Sequence, residues 1–352
     1  MQLIKSDSNI NFIAKRKIAF FLSVALIVVS IVSLVIHKGP NYGIDFAGGT
    51  LIQVKFMTKT SMDEIKAGLA TIGIGKSTVQ VFGDPKENEY LIRADALDAA
   101  TEGLSLKVEK AVKLSTGNDA DIRRVEMVGP KVGSDLREKA LFSMFYALLF
   151  IAIYISGRFE MKWLVSGVMT AALIFALLFV RKICIFFNLE NSIPVLICVA
   201  LIVTLVFFWF LKLKYAMGAI VAIIHDVIIT VGIFSLLDLD FTLSIIAALL
   251  TIIGYSLNDT IIVFDRIREN LRKYQNNSLE KNINKSINET LNRTILTSFT
   301  TLMVVVSLFL IGGSIIHDFA FAMIIGIFVG TYSSIFVASP ILLVWDLFEK
   351  RV

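Results

Sequence analysis

Long apolar runs dominate the chain, interrupted by one extended polar stretch. Eight runs approach the roughly 20 residues, at ~1.5 Å each, that a helix needs to cross a bilayer. They are residues 18–36, 140–156, 163–180, 193–211, 215–237, 241–264, 295–312 and 319–347. Between the first two, residues 38–139 follow other periods. "TLIQVKF" (50–56) has strand character. "SMDEIKAGLATI" (61–72) opens with Ser61 and Glu64 at capping-box spacing and puts Met62, Ile65, Leu69 and Ile72 on one helical face. "STVQVF" (77–82) and "NEYLIRA" (88–94) alternate around the turn Gly83-Asp84-Pro85. Thr101 can cap a second helix with Leu104, Val108 and Ala111 inward, and "ADIRRVEMV" (120–128) supplies a last strand. The order β-α-β-β-α-β predicts a small α+β, ferredoxin-like domain on a polytopic α-helical membrane protein of eight spans.

Composition agrees with the pattern. The 352 residues are 56% hydrophobic, and the mean hydropathy of +0.77 excludes an ordinary soluble enzyme. Net charge is +5, yet residues 38–139 hold fifteen Lys/Arg and fifteen Asp/Glu. The excess therefore lies among the spans, which argues for membrane topology and against nucleic-acid binding. Lys15 to Lys17, Arg158 with Lys162, Lys212 with Lys214, Arg266 to Lys273, and Lys350 with Arg351 all fall on one side of an eight-span chain. The positive-inside rule makes that side, and both termini, cytoplasmic. Arg181-Lys182 violates the pattern. The first span reads as a signal anchor, being long and lacking a small-residue cleavage site. Cys184 and Cys198 form no metal or disulfide framework, and the polar domain has neither His nor a Gly-rich phosphate loop. No metal or cofactor is expected, and the domain is expected to bind or move rather than to catalyse.

Several polar residues stand inside apolar runs. Asp226, next to His225, lies twelve residues after Lys214, about 18 Å along a helix and near the midplane. Asp259, next to Asn258, lies six residues before the basic motif Asp265, Arg266 and Arg268; Arg293 opens the seventh span from the same side. A charged side chain at such depth costs at least ~2.5–3.5 kcal/mol on insertion scales, so these groups are expected to face the bundle interior or a polar path. Burial disfavours a charged carboxylate and a nearby guanidinium favours it. An Asp259–Arg293 pair that forms and parts would thus take up and release a proton; a fixed bond pinning two helices suits the spacing equally well. His225 can relay protons or simply pack. Gly232, Gly254, Ser256, Gly326, Gly330, Ser333 and Ser334 allow close helix approach. Leu279, Ile283, Ile287 and Leu291, four apart, predict an amphipathic membrane-surface helix within the 265–294 link.

"NYGIDFAGGT" (41–50), containing Asp45, Gly48 and Gly49, "VEMVGPKVG" (125–133), "IHDVIITVGIFSL" (224–236), "GYSLNDTIIVFDRIREN" (254–270) and "LNRTILTSFTTLMV" (291–304) closely resemble the SecF family. SecF is the smaller membrane subunit of the SecD–SecF export machinery, related to the RND transporters. The resemblance implies a half-transporter that pairs with a SecD subunit and associates with the SecYEG channel. It implies use of the proton motive force in late export of unfolded polypeptide, at the cytoplasmic (inner) membrane of a bacterium. It also implies that Asp259 and Arg293 are the proton-linked pair and makes the dynamic reading of that pair the expected one. The family ordinarily has six spans. Here "RFEMKW" (158–163) is followed by about fifty extra residues, expected to form a two-span hairpin over 163–211. Two rival functions are an RND-type exporter of lipids or small molecules and a passive scaffold of the translocase.

Overall fold

The computed structural model describes residues 9–83, 85–94, 103–160 and 193–349, with scattered positions between 163 and 182. After a short turn of 3-10 helix, α1 (Arg16–Ile36) runs to the foot of the small domain. A single-turn helix, α2 (Ile44–Ala47), leads into β1 (Gly49–Phe56). Then come α3 (Met62–Thr71), β2 (Thr78–Val81), β3 (Glu89–Ala94), α4 (Leu104–Thr116) and β4 (Ala120–Val128). The remainder is helical: α5 (Pro130–Glu160), α6 (Ile193–Phe210), α7 (Lys214–Leu236), α8 (Leu243–Lys273) and α9 (Leu279–Ile311). Last, α10 (Ser314–Ser333) passes through a π-helical turn (Ser334–Ala338) into α11 (Ser339–Glu349).

The small domain has sheet order β2-β3-β1-β4 with every neighbouring pair antiparallel. Alternate residues Ile52, Val54, Phe56, Tyr90 and Ile92 point to one face. There they meet Ile65 and Leu69 of α3 and Val108 and Val112 of α4, closing a core. The capping box forms: Asp63 N donates to Ser61 Oγ at 3.3 Å and Ser61 N to Glu64 Oε2 at 3.2 Å. Met62, expected on the inward face, is 44% exposed at the first position of α3, and the buried face of the helix begins one turn later at Ile65. Thr101 lies outside the described residues, and α4 follows Gly103 at φ +78°.

Among the described residues six helical stretches are long and apolar enough to span a membrane: Ile13–Ile36, Pro130–Glu160, Lys214–Leu236, Leu243–Lys273, Leu279–Ile311 and Ile316–Phe348. The expected span 163–180 lies largely outside the described residues, while α6 occupies most of 193–211. In the bundle α8 packs on α10, α7 on α1, α5 and α10, and α9 on both α8 and α10. The amphipathic stretch expected to lie on the membrane surface instead continues unbroken into the span as the first half of α9. Ile283, Ile287 and Leu291 are buried against the prolonged end of α8 and against Ile13, so apolar surface that lipid was expected to cover is covered by protein. Asn284 and Asn288 hold the chain's early segment there. Asn288 Oδ1 accepts from Ile10 N at 2.8 Å and Asn284 Oδ1 from Phe12 N at 2.9 Å.

Candidate functional site

Two carboxyls lie in the bundle interior, each 1% exposed, and their surroundings differ. Asp226 on α7 has both oxygens occupied. His225 Nδ1 meets Oδ1 at 2.9 Å, while Ser256 Oγ of α8 and Ser333 Oγ of α10 donate to Oδ2 at 2.6 and 2.8 Å. The close approach behind this is built into the helices: a Cβ added at Gly330 of α10 would come within 2.9 Å of Ser256 Cβ. From the far side of His225, Nε2 lies 3.2 Å from Ser23 Oγ of α1. Ser23 is itself 3.0 Å from the Tyr332 hydroxyl, which donates to Ala19 O at 2.7 Å. A continuous polar thread thus ties α1, α7, α8 and α10 together within apolar surroundings.

Asp259 lies three residues beyond Ser256 on the same helix, and its Oδ2 is buried with no hydrogen-bond partner. Ser298 of α9 approaches this carboxyl, with its hydroxyl already 2.7 Å from Thr331 Oγ1 of α10. Arg293 is close enough for its charge to act on Asp259, yet no ion pair joins the two, and Arg293 is exposed on the outside of the bundle. The geometry therefore brings together Asp226, His225 and Asp259. It sets Arg293 at the rim, beside rather than in contact with the buried carboxyl.

Asn258, expected in the interior, is exposed. Ser256, Leu257, Asp259 and Thr260 share the wide buried face of α8, and at about 100° per residue Asn258 falls on the opposite side. It continues an outward stripe of Ala247, Thr251 and Gly254. Ser23, Ser298, Thr331 and Tyr332 were missed by the sequence reading. They are common residues whose role arises only where four helices converge.

The remaining motif residues sit at the two ends of the bundle. At one end, Arg158 of α5 pairs with Asp265 at 2.6 Å, Arg266 with Glu289 of α9 at 2.9 Å, and Arg268 Nη1 donates to Arg158 O at 3.0 Å. At the other, Asp45 Oδ2 accepts Leu243 N at 2.9 Å and so caps α8, while Gly48 and Gly49 form the entry to β1. Among the described residues no cluster of His, Cys, Asp or Glu has the makings of a metal site.

These features define an integral membrane protein of several spans, with carboxyls buried at its centre and a small α+β domain fixed over one end. The family description "Protein export membrane protein SecD/SecF, C-terminal" matches residues 107–194 and 189–347, two stretches that meet inside the expected insert. The "SecD/SecF GG Motif" matches residues 33–56. "Protein translocase subunit SecF" of Magnetococcus marinus is 40% identical over all of this chain and 96% of its own length. The protein of the same name from Calditerrivibrio nitroreducens is 41% identical over 100% and 99%. The crystal structure of SecDF, a translocon-associated membrane protein from Thermus thermophilus, superposes with a TM-score of 0.71 at 30% identity. That match covers 99% of this chain and 40% of the SecDF chain. A SecDF structure in a super-membrane-facing form superposes at 0.61 with the same identity. The chain belongs to the SecD/SecF family of protein export membrane proteins, and its full-length curated relatives are SecF subunits.

Proposed function

We propose that this chain is the SecF-type subunit of a protein translocase and that, with a SecD-type partner, it couples proton movement to late export of unfolded polypeptide through a SecYEG channel. It is a moving part rather than an enzyme. The small domain, ferredoxin-like in its strand order, stands outside the cytoplasmic membrane, and both termini stand inside. The observation that carries this reading is the contrast between the two carboxyls. Asp226 is saturated with donors and holds helices together. Asp259 has an empty lone pair in the membrane interior, a costly arrangement unless the group gains and loses a partner or a proton. Arg293, always protonated, is the counter-charge at hand, and the missing bond corresponds to the open state of a pair that makes and breaks contact. The outward stripe ending in Asn258 and the exposed Arg293 are surfaces suited to covering by helices of the partner subunit.

The experiment is Asp259→Asn in vesicles carrying the chain with its SecD-type partner and the channel. Proton-dependent stimulation of export should be lost while the complex still assembles. Full stimulation in that variant leaves a passive scaffold as the function. Export of lipid or a small molecule by the chain without the channel would establish the transporter reading instead.

A further inference from the structure

The motif at residues 41–49 has no part in the buried network, yet it meets three separate parts of the molecule. The loop 237–242 joins α7, which carries Asp226, to α8, which carries Asp259. Along this loop Phe241 N donates to Asn41 O at 2.6 Å and Gly43 N to Phe241 O at 3.0 Å, a two-sided backbone clasp. Thr242 occupies the capping position of α8 but contributes no side-chain cap. The Asp45 carboxylate, from a segment almost two hundred residues away, accepts the Leu243 N–H and takes over that task. A Cβ at Gly43 would lie 2.9 Å from Thr242 Cγ2, so the two segments are in tight contact.

The same loop is gripped from above. Arg93, on the helix-free face of β3, pairs with Asp240 at 3.1 Å and donates a second bond to Tyr42 O. Asn41 Nδ2 reaches the same Asp240 oxygen at 3.1 Å. A few residues on, the motif passes against the start of α5: a Cβ at Gly48 would come within 2.8 Å of Pro130 Cα. Gly49 then begins β1, the strand that pairs with both β3 and β4. One short segment thus bears on the start of α8, the start of α5 and the middle of the sheet.

We infer that Asp45, Arg93 and Asp240 form a transmission joint, positioning residues through which displacement of α7 and α8 is passed to the small domain. This deepens the proton-coupled reading and rests on it. A loop that merely closed two helices would need neither a cap from a distant segment nor an arginine from the sheet. With both, an axial shift or tilt of α8 must carry the α2 segment with it, and the Arg93–Asp240 pair applies the same displacement to β3. The joint does not carry the proton that drives the cycle and touches no polypeptide; it sets how far the domain follows the spans.

The test uses the chain with its SecD-type partner in channel-containing vesicles, reading proton uptake and export together. Asp45→Ala and Arg93→Ala should each cut proton-dependent export by about fivefold or more, the low end of a typical coupling energy, with proton uptake unchanged. Asp45→Asn, which keeps an acceptor for Leu243 N, should restore export. Arg93→Ala removes a half-buried surface side chain, so the inference stays open to refutation even if Asp45→Ala fails to fold. Export unchanged in either alanine variant, or uptake and export falling in parallel, overturns the joint. Wild type and Asp259→Asn run alongside separate the two readings. Equal export in that pair removes proton coupling and the joint with it, whereas a clear difference there with unaltered Arg93→Ala removes the joint alone.

Discussion

Ser256 donates its hydroxyl to Asp226 across 2.6 Å, binding α8 to α7 in the middle of the bundle. One turn further along α8, Asp259 faces the interior with an oxygen that receives no bond. Two carboxyls in one apolar core are thus held in opposite conditions. A fully bonded acceptor stabilises the arrangement that bonds it, and an unsatisfied one raises the energy of the state in which it is found.

The two should respond differently to truncation. Asp226→Ala strands the hydroxyl of Ser256 and one nitrogen of His225, and leaves Ser333 only its bond to Gly330 O. The expected loss is about 1–3 kcal/mol, nearer the low end because hydrogen bonds within membrane bundles average only ~0.6 kcal/mol. Asp259→Ala removes a group whose buried oxygen is unpaired, so unfolding of the detergent-solubilised protein should be unchanged or slightly harder. Denaturant titration of both variants is the measurement, and equal losses would contradict the distinction drawn between them.

Arg293 should divide stability from activity. It is exposed and makes no ion pair with Asp259, so Arg293→Ala should leave the unfolding midpoint of the isolated chain where it was. In the assembled translocase the same substitution should abolish proton-dependent export, because the counter-charge is gone. A midpoint that falls in the isolated chain would mean that the guanidinium is already bonded within it.

Much of this was legible in the sequence, for identifiable reasons. Hydropathy locates spans because a helix in lipid must bury every backbone polar group within itself. The Ser61–Glu64 capping box is a local contact and reads directly from spacing. Asp226 and Asp259 stood out because a charge in an apolar run is costly. The outward turn of Asn258 followed from helical periodicity but needed knowledge of which face α8 buries. Ser23 and Tyr332 had no signal at all. They are separated by 309 positions and meet because α1 and α10 both lean on α7. The straight continuation of α9 was hidden for another reason: an apolar stripe looks the same whether lipid or protein covers it.

The joint has its own pH signature. Burial raises the Asp240 carboxyl above its ordinary value of 3.8, against the opposing pull of Arg93, and the neighbouring charges of Asp318 and Asp238 raise it further. The folded state therefore holds this proton more tightly than the unfolded chain. The resulting stability is fully present below pH 3.8 and is lost as pH rises through the folded value. Asp240→Asn keeps an acceptor for Arg93 and Asn41 but does not titrate. Protease resistance of the small domain, followed upward from about pH 4, should fall in the wild type relative to this variant. Parallel curves would show that Asp240 is not held in the buried setting described.

Gly48→Ala tests the geometry of the joint most directly. Gly48 sits at φ +77° and ψ 169°, a conformation open to essentially no other residue, with Pro130 Cα 2.8 Å from where a Cβ would stand. The backbone strain alone costs about 1–3 kcal/mol, and relieving the contact means moving the start of α5 away from β1. Gly39, at φ +121° with nothing within 4 Å, is the control: its alanine variant carries backbone strain without a collision. Gly48→Ala should destabilise the chain clearly more than Gly39→Ala in thermal unfolding. It should also lower export at temperatures where the protein remains folded, because α5 and the sheet no longer keep their spacing. If the two variants melt together and export equally, the tight passage at residue 48 plays no part in joining the domain to the spans.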